Sequence, residues 1–112
     1  MENGRGPNVL RVADLELAGK NYPEAIKYYQ RLRAATTTRR EVATATLGLL
    51  RAYYESGNYQ QARATAQDLS TLAGATAGAT NTALLYLGKA DFRLNNLDQA
   101  ATELRAAVAA AP

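Results

Sequence analysis

The 112-residue chain has no cysteine, no histidine and no tryptophan. Without cysteine there are no disulfides and no thiolate metal sites. Without cysteine or histidine, Cys-His and Ser-His nucleophiles are excluded. Its two serines, Ser56 and Ser70, stand beside a helix stop and near a helix end, where they read as capping or surface residues. No apolar run approaches the roughly 18 residues of a membrane span. Residues 1–7, MENGRGP, are too short and polar for a signal peptide and read as a frayed terminus. The segment GATAG at 74–78 lacks the lysine of a phosphate loop and reads as a linker. Asp14 and Glu16 are two apart on a helix, so they face different ways and cannot act as a pair. The chain is not expected to be an enzyme, and no cofactor or metal is called for.

What is present is a globular composition: 47% apolar and 21% charged residues, enough for one domain. Alanine is abundant and the aromatics are mostly tyrosine, which suits closely packed helices. The formal charge of +3 is spread among alternating acids and bases, which argues weakly for nucleic acid. Arg31, Arg33, Arg39 and Arg40 are the densest basic group. They fit a solvated helix C-terminus better than a phosphate site.

The organising feature is a repeat. Asn21-Tyr22-Pro23-Glu24-Ala25, Asn58-Tyr59-Gln60-Gln61-Ala62 and Asn96-Leu97-Asp98-Gln99-Ala100 recur with their asparagines 37 and then 38 residues apart. Self-similarity at such a period signals a solenoid. Each Asn, with Glu24, Gln61 or Gln99 three residues on, has capping-box spacing. Each should open a helix, buried through Ala25, Tyr29 and Leu32, through Tyr59, Ala62, Ala66 and Leu69, and through Leu97, Ala100, Leu104 and Ala107. Each is preceded by another helix: 8–18, one ending near Ser56, and one ending near Asn95. Gly19, Gly57 and Asn95 are the expected left-handed stops. Segments 34–41 and 71–80 read as connectors.

These residues resemble the tetratricopeptide repeat, with its paired helices and L-G…A-x3-F…P pattern. Leu87-Gly88, Ala100, Leu104 and Pro112 carry the match in the third copy; Tyr53 and Ala62 in the second; Ala25 and Tyr29 in the first. The resemblance implies an all-α, right-handed solenoid of three helix pairs over 8–112, with copies at about 8–38, 39–76 and 77–112. The chain reads as a fragment of a longer array, with open ends that could stack head-to-tail. The copies exceed the family period, as in bacterial envelope members, and the resemblance leans toward a soluble envelope or periplasmic protein. Glu16 and Asp91 stand where the family has a buried tyrosine. Either the helix tilts the carboxylate to water, or the carboxylate is buried and hydrogen-bonded.

In such arrays the first helices line a concave groove that takes a partner's peptide or helix. Here that groove would offer Leu10, Leu47 and Leu85, with Asp14, Arg51, Tyr54, Tyr86, Lys89, Phe92 and Arg93 as its contact residues. The places that clamp an acidic chaperone tail in some members hold Leu10, Asp14, Gly48, Thr82 and Tyr86, so that ligand is disfavoured. RNA-reading repeats carry a polar code that is missing here. The expected function is protein–protein interaction. The competing reading is a structural spacer with no ligand of its own.

Overall fold

A computed structural model describes residues 6–72 and 77–110. Among these residues six helices follow one another: α1 (Gly6–Ala18), α2 (Tyr22–Ala35), α3 (Arg39–Glu55), α4 (Tyr59–Leu72), α5 (Ala77–Arg93) and α6 (Leu97–Ala110). Each packs on the next, and α1 also touches α3, as α3 touches α5. The second helices α2 and α4 do not approach each other in this way. First helices therefore crowd along an inner side while second helices fan outward. The result is an elongated stack of 49 × 27 × 20 Å.

The turn inside each pair is the same device three times. Lys20, Gly57 and Asn95 have φ of 64°, 85° and 68°. In each case the N–H of that residue bonds the carbonyl three back, and the next N–H bonds the carbonyl five back, as from Asn58 to Tyr53 at 2.9 Å and from Asn96 to Asp91 at 2.8 Å. This is the Schellman closure, which satisfies carbonyls left over at a helix end. The expected stop at Gly19 is thus corrected to Lys20, one residue on. The repeat register explains it, since Lys20 stands where Gly57 and Asn95 stand.

The capping boxes are also corrected. Asn21 makes no side-chain cap; its Nδ2 donates back to Glu16 Oε1 at 2.9 Å. Asn96 does the same to Asp91 Oδ1 at 2.9 Å. The residue five before Asn58 is a tyrosine, and that amide donates to Ser56 Oγ at 3.1 Å instead. Glu24 pairs with Lys27 at 3.2 Å. The side-chain cap falls on Thr38, which accepts from the Glu41 N–H at 3.2 Å and donates to its carboxylate at 2.8 Å. Thr36 to Thr38 disfavour helix by offering local alternatives to the backbone. The connector is those three residues rather than 34–41. Residues 71, 72 and 77–80 are helical, against the expected loop. The expectations for 73–76, Pro112 and most of 1–7 lie outside the described residues.

Two clusters form the core. Ala13, Ala25, Tyr29, Leu49 and Ala52 join α1, α2 and α3. Leu50, Ala62, Ala66, Leu69, Ala83 and Ala90 join α3, α4 and α5. The core thus runs along the stack, as a solenoid requires. Alanines mark the tightest approaches, and glycine appears where a ring or branched side chain comes closer still. A Cβ on Gly48 would overlap the Tyr29 ring, and one on Gly88 would sit 2.7 Å from Leu104 Cδ2. Tyr59 and Leu97, expected inside, are half-buried and exposed. Both begin their helices beside the turn, over the edge of the core rather than within it.

Candidate protein-binding groove

The seam between α3 and α5 brings three tyrosines together. Tyr54 meets Tyr86 edge-on, centroids 5.6 Å apart, and Tyr59 likewise at 5.4 Å. Such offset geometry places the positive ring edge against a negative ring face. Lys89 Nζ stands 4.9 Å from the centroids of both Tyr54 and Tyr86. One helical turn on, Arg93 lies 5.5 Å over Tyr59. A hydrogen bond to Tyr54, then the Tyr59 and Tyr54 charges, raise the pKa of the Arg93 guanidinium further. The ring faces attract both cations and limit their wandering. Among the described residues neither has a carboxylate partner.

Of the seven expected contact residues, Tyr54, Tyr86, Lys89 and Arg93 are gathered here. Phe92 is 60% exposed and has no ring partner among the described residues, so it stands apart from the tyrosines. Asp14 and Arg51 belong to a second group. Tyr29 threads beside them and its hydroxyl donates to Asp14 Oδ1 at 2.5 Å. Burial first, then that hydrogen bond and the Asp14 charge, push the Tyr29 pKa up; Arg51 opposes the shift and Glu55 adds to it. Asp14 is therefore anchored rather than free. The helical spacing of Tyr59 predicts a core residue, yet it joins the tyrosine cluster. The signal that points it here is its place directly after Asn58, where a three-residue turn folds it back beside the end of α3.

Toward the other end of the same seam is a hollow of about 330 Å³, lined by Arg40, Ala43, Leu47, Leu69 and Thr82 among others. From Ala43 to Tyr54 is roughly 16 Å of helix axis, the span of about five extended residues. One end of the groove is apolar and the other is aromatic and cationic. Gly48, another expected groove position, is buried beneath Tyr29. A further cleft of about 480 Å³ opens on the outer side between α2 and α4, bridged by Arg33 and Asp68 at 3.6 Å.

The carboxylate of Asp91 resolves one of the two alternatives raised by the sequence. It has no solvent exposure. Arg63 Nε on α4 donates to its Oδ1 at 2.7 Å and Asn96 at 2.9 Å. Burial tends to raise its pKa, but hydrogen bonds from Glu103, Asn96 and Arg63 outweigh this and lower it. Glu103 on α6 is pushed the other way, to about 7, by burial and by Asp91. Asp91 Oδ2 and Glu103 Oε1 are both buried without another partner. One proton on Glu103 makes the two carboxyls compatible. Glu16, the equivalent in the first copy, is only half-buried.

Among the described residues no group of three or more acidic side chains could hold a metal, and no helix is long and apolar enough to cross a membrane. A family model described as tetratricopeptide repeat matches residues 10–73 and again residues 47–112. Comparison with curated proteins and with solved structures gave no match.

Proposed function

The chain belongs to the tetratricopeptide repeat family, whose repeats generally serve protein–protein interaction, and on that premise we propose that it holds an extended segment of a partner protein along the α3–α5 seam. The observation that carries this reading is the pair Lys89 and Arg93. Both are held over tyrosine rings and, among the described residues, left without a carboxylate of their own. A charge kept in place before the partner arrives loses less freedom on binding. The partner's segment is acidic where it meets Lys89 and Arg93, and apolar where it meets Ala43 and Leu47. Asp14 and Phe92 stand at the margins of this contact.

A structural spacer would have no use for such a site. The discriminating experiment pans a library of extended peptides at low salt against the chain and against the Lys89→Glu, Arg93→Glu double variant. Enriched peptides should pair Asp or Glu with Leu or Phe and should be lost with the variant. No enrichment, or enrichment that ignores the double variant, favours the spacer.

A further inference from the structure

The repeat register shows what should cover the two ends of the stack. In the second and third copies, Leu49 and Ala52, and Leu87 and Ala90, face the second helix of the preceding copy. Three of these four are buried and Leu87 is half-buried. Their equivalents on α1 are Val12 and Leu15, which are 39% and 66% exposed. The opposite end is the complement. Tyr29 and Ala66 are buried under the next first helix, while their equivalent Leu104 is half-buried and Val108 beside it is 76% exposed. One end exposes what first helices bury; at the other, Leu104 is more open than Tyr29 and Ala66, and Val108 adds exposed apolar surface where Arg33 and Ser70 stand in the earlier copies.

The polar residues fit the same junction. Between α2 and α3, Gln30 Nε2 donates to the Tyr53 hydroxyl at 3.1 Å. The equivalent of Gln30 on α6 is Arg105, and the equivalent of Tyr53 on α1 is Glu16. Between α4 and α5, the carboxylate at that place, Asp91, takes Asn96 from its own turn and a cation, Arg63, from the preceding second helix, one turn before Gln67, which holds the place of Gln30 and Arg105. Glu16 has its asparagine, Asn21, but no cation among the described residues.

We infer that the chain self-associates head-to-tail, with α6 of one copy docked on α1 of the next: Leu104 and Val108 cover Val12 and Leu15, and Arg105 pairs with Glu16. Both surfaces lie outside the α3–α5 groove, which stays open in the assembly. The contact joins two different faces, so it does not close on itself.

Light scattering and sedimentation from micromolar to millimolar concentration test this. The weight-average mass should climb from the 12.0 kDa monomer without a plateau. Leu15→Asp, at an exposed site, should hold the chain monomeric. Glu16→Arg alone and Arg105→Glu alone should each weaken association by about tenfold, because like charges then meet. Mixing these two variants should restore it, since each supplies the face the other lacks. A mass that stays at monomer, a plateau at dimer, or a mixture no better than its folded components overturns the assignment.

Discussion

Arg63 reaches from α4 to Asp91 on α5, Nε to Oδ1 at 2.7 Å, and neutralises a carboxylate with no exposure to water. This pair ties the second copy to the third. Glu103 can sit beside Asp91 because burial and the Asp91 carboxylate favour a proton on Glu103, which removes the second negative charge; the Arg63 charge opposes that proton without outweighing them.

The proton carries a pH dependence. Glu103 is raised from 4.5 to about 7, so the folded chain holds more protons than the unfolded one between those values. Its contribution is fully present below 4.5 and is lost as pH rises through about 7. Asp91 is lowered from 3.8, so its contribution is present above 3.8 and is lost only as pH falls below that. Melts should therefore show stability falling by roughly 1–3 kcal/mol across the upper window. Glu103→Gln keeps a donor toward Asp91 at every pH and should flatten that slope. A slope unchanged in the variant places the proton elsewhere.

Gly48 and Tyr29 fix the joint between the first two copies. Gly48→Ala sets a methyl against the ring and should cost about 1–3 kcal/mol through overpacking. Tyr29→Phe keeps the ring but drops the bond to Asp14, for about 1 kcal/mol. Denaturant midpoints of the two variants measure both effects.

The turn and cap residues separate in the same assay. Lys20→Gly relieves a left-handed lysine and should stabilise by about 1 kcal/mol. Thr38→Ala removes the side-chain cap and should cost about 1 kcal/mol. Asn58→Ala touches no cap bond and should fall within about 0.5 kcal/mol of the parent.

Binding should divide the expected groove residues. Tyr54→Ala should weaken a selected acidic-apolar peptide by about 1–3 kcal/mol, since that ring holds Tyr59, Tyr86 and Lys89 together. Phe92→Ala should cost less, because Phe92 packs on none of them. Added salt should slow association more than it speeds dissociation. Calorimetry and stopped-flow on the two variants give both numbers.

Much of this was legible because a repeat reports its own register. Ala25, Ala62 and Ala100 located the second helices, and the 37- and 38-residue spacing aligned Tyr54 with Phe92 and Arg51 with Lys89. What escaped depended on choices between two local partners. An asparagine five residues after a carboxylate can cap its own helix or reach back, and Asn21 and Asn96 reach back. A glycine beside a lysine suggested the wrong stop. Tyr59 follows the helical period yet is turned out by a three-residue turn. Phe92 and Tyr54 share a register but not an environment, since the ring that meets Tyr54 comes from Tyr86 on the next first helix, and no described helix follows α6 to supply its like for Phe92.

The most direct test of the groove is a titration of isotope-labelled chain with a peptide selected for an acidic and an apolar residue, followed by amide and tyrosine-ring resonances. Shifts should concentrate on Tyr54, Tyr59, Tyr86, Lys89 and Arg93, extend to Leu47, and vanish in the Lys89→Glu, Arg93→Glu variant. Shifts confined to the outer cleft at Gln30, Arg33 and Asp68, with the tyrosine cluster unmoved, would contradict the assignment.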